Sequence, residues 1–338
     1  MDNNDLLDFE ENMPENDINI NNDDDDIEPF VMDVKNLHFS MLNRYGENLT
    51  KKKYITNPAI ARDEEINKMT LILLSPEKSV VLTGKAGIGK TSIVEGLNYR
   101  IQRKEVPNAL LNSQIYKINT SSLLGTYNNE GNEEAKLQLL INEIMGKKDI
   151  ILFIDEIHTL VTASKNGDVD FLNMLKPGLD RGDIKVIGAT TTKEFEDYLL
   201  KDKAFLRRFE RVEIEEPDQP TTVKILMGTL KKIEAATDVK WPYTNYLLEQ
   251  VCKFLVNMTS EYKRVYENGS RYPDVSLSLF SKCFTYARFE NSDKVTFKHI
   301  YQAIKNCNLV YPDVVKKEIP IFKETFKEYL ENEKVEID

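Results

Sequence analysis

The sequence has little of several things that would place it quickly. Its 338 residues hold three cysteines, Cys252, Cys283 and Cys307, an odd and widely spaced set that matches neither a disulfide framework nor a metal spacing. Buried, reduced thiols of an intracellular protein are the simpler reading. Histidine is equally scarce, and His38, His158 and His299 have no metal-ligand partner three or four residues on. No apolar run approaches the roughly 18 residues that a membrane span needs. The N-terminus carries acids where a secretory signal has a basic segment and an apolar core. These absences predict a soluble, cytoplasmic chain with no membrane contact. Basic excess is missing too. Twelve of the 56 acidic residues fall within residues 1–30, which hold no Lys or Arg, and the other 44 nearly balance 45 basic residues. A neutral body offers no field for nucleic acid, so a nucleic-acid partner is not expected.

What is present describes a globular protein with room for two or three domains, at 41% hydrophobic and 30% charged residues. Residues 1–30 are rich in Asn and Asp and too poor in apolar groups to offset the entropy of ordering. They read as a disordered acidic arm, either a docking tail or a plain solvated spacer. Residues 31–56 form an N-terminal extension without a clear pattern, ending in Lys51, Lys52 and Lys53. From residue 57 the chain alternates short apolar runs with helical spacing. SVVLT (79–83), QIYKIN (114–119), DIILFI (149–154), IKVIGA (184–189) and RVEI (211–214) read as buried strands. Ile93, Leu97 and Ile101 mark one face of an intervening helix. The alternation predicts an α/β domain over 57–217 with a parallel five-stranded sheet covered on both faces. Beyond EEPDQP the strand signal stops, and 218–312 reads as an all-helical domain. Residues 313–338 remain as a C-terminal extension.

One loop carries chemistry. Gly84-x-x-x-x-Gly89-Lys90-Thr91 fits the P-loop pattern in full, after a strand and at the start of a helix. In the stretch Gly84, Lys85, Ala86, Gly87, Ile88, Gly89, Lys90, Thr91 and Ser92, glycines let the backbone curl so that N–H groups point inward at phosphate oxygens. The helix that follows adds its positive dipole end. Lys90 is expected to reach the β- and γ-phosphates and Thr91 to ligate Mg²⁺. A plain strand–turn–helix connection is the competing reading. Against it stands ILFIDE (151–156), an apolar strand ending in two carboxylates. There Asp155 would hold the Mg²⁺ shell and Glu156 would polarise an attacking water. Ligands of open α/β sheets sit at the carboxyl ends of the strands, where both motifs fall.

The match extends past these motifs. NPAIARDEEI (57–66), GKAGIGKTSIVEGL (84–97), ILFIDEIHTLV (151–161), NMLKPGLDRGDIKVIGATT (173–191) and KDKAFLRRFERVEIEEP (201–217) resemble, in order, the Clp-type AAA+ ATPase family, as in the first module of ClpA, ClpB and ClpC. The resemblance covers about residues 57 to 290. It implies an AAA+ P-loop NTPase fold with a C-terminal helical lid, Mg²⁺-dependent ATP hydrolysis, and a homo-oligomer, specifically a hexamer. It also implies residue roles. Ile60 and Ala61 would line an adenine pocket, and Thr191 would act as the sensor that helps to place water. Arg207 and Arg208 would be arginine fingers acting on the nucleotide of the adjacent subunit. Tyr127, in LGTYNNEGNEE (124–134), would be the aromatic of a pore loop that grips protein substrate. The basic residue that follows the aromatic in the family is missing here. SRYPDVSLSLFSKCF (270–284) resembles the lid segment, with Arg271 as its nearest arginine. One motor module with a lid accounts for the matching blocks. The function implied is ATP-driven remodelling or unfolding of protein. The alternatives are a nucleotide-dependent assembly switch or scaffold without threading, and a nucleic-acid loader of the AAA+ type.

Overall fold

Each of the five apolar runs forms a strand in the computed structural model. It describes residues 40–335 apart from 124–125, 130–131, 166–170, 266–268 and 270. The acidic arm read in residues 1–30 lies outside the described residues. In chain order the first elements are α1 (Met41–Tyr45), β1 (Gly46–Asn48), α2 (Asp63–Leu74), β2 (Ser79–Thr83), α3 (Lys90–Gln102), β3 (Gln114–Ile118) and α4 (Thr120–Leu123). A hairpin of β4 (Thr126–Asn129) and β5 (Asn132–Ala135) follows, then α5 (Lys136–Ile144), β6 (Ile150–Ile154), α6 (His158–Lys165) and α7 (Phe171–Asp180). The sheet region is completed by β7 (Lys185–Thr190), α8 (Thr192–Glu194), α9 (Lys203–Arg208) and β8 (Phe209–Glu213).

The main sheet has six strands in the order β1-β3-β6-β7-β2-β8. β3, β6, β7, β2 and β8 run parallel, as the alternation of runs and helices predicts. The sixth strand is an addition from the segment 31–56. β1 pairs antiparallel with the edge of β3, Gly46 opposite Ile118 and Asn48 opposite Tyr116. Every residue of β2 and β6 is buried, because helices cover both faces and leave no polar side to alternate. One face packs on α5 through Leu137, Leu140 and Ile141. The other packs on α2 and α3 through Ile66, Met69, Ile93, Leu97 and Ile101.

After β8 the chain is helical: α10 (Gln219–Thr237), α11 (Asn245–Met258), α12 (Asp274–Phe289), α13 (Phe297–Lys305), α14 (Pro312–Thr325) and α15 (Lys327–Asn332). The first of these starts where sequence chemistry permits. Asp218 accepts the Thr221 N–H at 2.8 Å and Pro220 occupies the first turn, a cap whose loss costs about 1 kcal/mol. These helices share a core that runs from Val223 to Leu330. Residues 312–332 pack into it: the Phe326 ring lies 5.3 Å from Phe297 and 5.1 Å from Phe322. Glu333 then accepts the Phe297 N–H at 2.8 Å and the hydroxyl of Tyr243. Among the described residues no helix is long and apolar enough to cross a membrane.

Candidate functional site

The loop between β2 and α3 is built as a cradle. Gly87 and Gly89 adopt φ of 76° and 99°, which a side chain disfavours. A Cβ on Gly87 would also press on Asp274 at the start of α12, 3.0 Å from its own Cβ. Lys90 begins α3, and its ammonium lies across the loop, donating to the carbonyls of Gly84 at 2.8 Å and Lys85 at 3.0 Å. Burial lowers the pKa of Lys90, while the carboxylates of Asp155 and Glu194 pull in the opposite direction. Cation, acid and loop therefore converge.

β6 delivers the acidic pair. Asp155 follows its last residue, and Oδ2 accepts the Thr91 hydroxyl at 3.2 Å and faces Lys117 Nζ at 3.6 Å. A hydroxyl beside a carboxylate is an oxygen donor set suited to a hard divalent cation such as Mg²⁺. Glu156 is exposed and sits at φ 55°, in the left-handed region. It is held there from both sides. The Ile157 N–H donates to Ala189 of β7 at 3.0 Å, and Thr159 donates both N–H and hydroxyl to the Glu156 carbonyl at 2.9 Å.

At the end of β7 the threonines serve a cap. Thr191 accepts the Glu194 N–H at 3.2 Å, and Glu194 Oε2 accepts the Thr191 N–H at 2.9 Å. The same carboxylate takes the Thr190 hydroxyl at 3.0 Å and lies 3.3 Å from His158 Nδ1. Burial pushes the Glu194 pKa up, but the hydrogen bonds from Thr191 and Thr190 and the nearby His158 outweigh it and hold it low. Thr191 and Glu194 thus form one closed cap at the end of β7, and the charge of Glu194 acts on Lys90.

A cavity of about 200 Å³ adjoins the loop, lined by Ile60, Ile88, Gly89 and Ser92 below and by Ile225 and Leu277 of the helical region above. Ile60 also packs against α10, its Cδ1 lying 2.2 Å from where a Cβ on Gly228 would stand. Ala61 is exposed, outside the lining, at φ 56°. The two arginines differ. Arg207 is exposed. Arg208 grips Asp180 of α7 with two bonds, 2.6 and 2.9 Å, and donates to Ala204. That pairing lowers the Asp180 pKa, chiefly through its hydrogen bonds to Arg208. Tyr127 lies on β4, opposite Glu134 of β5.

Several polar residues escape a sequence reading. Lys117 beside Asp155 could have been noticed as the one charge in an apolar strand. Arg62 gives no such signal, yet it is buried beneath the loop and donates to the Ile88 carbonyl at 3.1 Å.

Comparison with known proteins agrees with this geometry. The family model described as "ATPase family associated with various cellular activities (AAA)" matches residues 80–216. The chain is 41% identical over 236 residues to the chaperone protein ClpB of Aquifex aeolicus, covering 69% of this chain and 23% of that protein. It is 43% identical over 201 residues to ClpB of Porphyromonas gingivalis, covering 58% and 23%. The chain thus spans about a quarter of the length of these relatives. Among solved structures, it resembles S. cerevisiae Hsp104 in an extended complex with casein, with a TM-score of 0.66 and 31% identity over 78% of this chain and 45% of that one. A closed state of Hsp104 with ATPγS and FITC-casein gives a TM-score of 0.67 at 31% identity, covering 86% and 48%. With the matched segment spanning the cradle, the acidic strand end and the capped threonine strand, the chain carries a Clp-type AAA+ ATPase module.

Proposed function

We propose that this chain hydrolyses ATP as a subunit of a ring and uses the energy to remodel or unfold protein. The observation that carries the proposal is the convergence of Lys90, Thr91 and Asp155 at the ends of β2 and β6, with Glu156 held beside them in a left-handed conformation. The glycine cradle and its backbone N–H groups suit a triphosphate, and the cavity lined by Ile60 suits an adenine ring. Mg²⁺, held by Thr91 and Asp155, would neutralise phosphate charge.

The roles follow from the chemistry of each side chain. Lys90 binds the terminal phosphates. Glu156, exposed at the strand end, accepts a proton from the attacking water, and Thr191 fixes that water's orientation. Arg207, exposed and free to reach outward, is the finger that completes a neighbouring subunit's site. Arg208 acts beside it by holding α9 to α7 through Asp180. A site shared in this way calls for head-to-tail contacts, which close into a ring; the resemblance points to six subunits. Tyr127 on the β4–β5 hairpin is the residue assigned to gripping polypeptide. That the ClpB relatives are chaperones, and that the similar Hsp104 is solved twice with casein, supports a protein substrate over nucleic acid.

Glu156→Gln tests the catalytic assignment. It should keep ATP binding within about threefold while abolishing turnover, measured by fluorescent-nucleotide titration and phosphate release. Turnover at the unmodified rate would remove Glu156 from the mechanism.

A further inference from the structure

Arg62 and Glu216 lie outside the roles assigned above, yet they anchor one continuous set of contacts. Arg62 is only 7% exposed. Its Nη1 pairs with Glu65 at 2.7 Å, one turn along α2. Its Nη2 forks between two main-chain carbonyls, Ile88 of the phosphate loop at 3.1 Å and Glu215, beyond β8, at 3.2 Å. The next residue, Glu216, faces the helical region. Its carboxylate takes Nη1 of Arg264 at 2.6 Å and the N–H of Tyr272 at 2.8 Å, with Nε of Arg271 at 3.7 Å. Arg264 is itself 3% exposed, donates Nε to the Thr259 carbonyl at 2.6 Å, and lies over the Tyr272 ring, 4.1 Å from its centroid. Tyr272 leads into α12, whose Asp274 abuts Gly87 of the same phosphate loop. The contacts form a circuit that begins and ends at the loop.

From this geometry we propose that Arg62 and Glu216 are paired positioning residues that couple the phosphate loop to the helical region. A planar guanidinium holding two carbonyls from distant segments lets neither move alone. Charge-assisted bonds among buried groups are short and directional, so the connection after β8 behaves as a latch with few arrangements, not as a loose linker. A displacement of Ile88 is passed through Arg62 to residues 215–216, and through Glu216 to Arg264 and α12. Neither side chain touches a reacting atom. The turnover part of this inference rests on the ATPase reading above; the mechanical part does not.

Spin labels on Leu71→Cys in α2 and Phe289→Cys at the end of α12 report the distance between the two regions of the full chain. Both sites are exposed, 66% and 83%, and the native cysteines are buried. Glu216→Gln keeps an acceptor for the Tyr272 N–H and removes the charge; Arg62→Lys keeps the charge and removes the fork. Each should broaden the distance distribution without nucleotide. Glu216→Gln should also lower kcat about tenfold with KM for ATP within about threefold, since Glu216 touches no loop atom. Unchanged distance distributions in both variants would overturn the coupling, and an unchanged kcat would overturn its part in turnover. Were the labelled parent itself unable to turn over ATP, the ATPase reading would fall, and the distance measurement alone would still decide the coupling.

Discussion

Glu156 occupies a backbone conformation that costs an ordinary residue on the order of 1–3 kcal/mol. The strain persists because Ile157 is tied to β7 and Thr159 ties the carbonyl of Glu156 from the other side. Its effect is to present an exposed carboxylate just past the end of β6, next to Asp155. Glycine relieves such strain at some entropic loss, so Glu156→Gly should raise stability by roughly half to one kcal/mol while turnover vanishes. A chemical denaturation curve checks this, and a lower unfolding midpoint would contradict it. On the catalytic role proposed for Glu156, stability and activity are set against each other at this residue. Thr191 illustrates a different constraint. Its hydroxyl serves as a cap acceptor for Glu194, so its position is fixed by local helix chemistry before any substrate is considered.

At the scale of elements, α14 and α15 are part of the helical core. Phe326 is 2% exposed and packs among Phe254, Phe297 and Phe322. Phe326→Ala should therefore cost about 3–5 kcal/mol, read as a fall in the urea midpoint of the helical region; an effect under 1 kcal/mol would mean the helices only rest on the surface. Four of the five parallel strands were legible because each is a run rich in β-branched and apolar residues bounded by turn signals, whereas β8 offered only the shorter alternation of RVEI. β1 was not, since Gly-Glu-Asn has neither alternation nor apolar content. Its place comes from the ladder with β3 and from neighbouring bonds, such as Asn98 to the Leu49 carbonyl at 2.6 Å. The site divides in the same way. Lys90, Thr91 and Asp155 follow from local spacing, whereas Arg62 donates to carbonyls 26 and 153 residues away, and hydrogen bonds of that reach leave no period in a sequence.

Across the whole molecule, the proposed shared site makes a prediction that no single subunit can fulfil. Arg207→Ala and Glu156→Gln proteins should each be inactive, yet mixing them should restore part of the phosphate release. In a mixed ring some sites combine an intact Glu156 with an intact Arg207 from the neighbour. A mixture as inactive as its components, with subunit exchange confirmed by labelled subunits, would place Arg207 on its own subunit's nucleotide or outside the mechanism.

Sheet order carries a further consequence, for the time at which the site comes into being. β2, which supports the phosphate loop, is among the first strands in the chain, yet it pairs only with β7 and β8, the last two. By contrast, β1 finds β3 and β3 finds β6 over shorter stretches. On a ribosome, the left half of the sheet can zip up while β2 still waits for residues 185–213 to emerge, since long-range parallel pairing is the slow step. The nucleotide cradle is then the keystone of the sheet, cut early and seated last, and a chain that has gained its grip on phosphate has already closed the sheet beneath it.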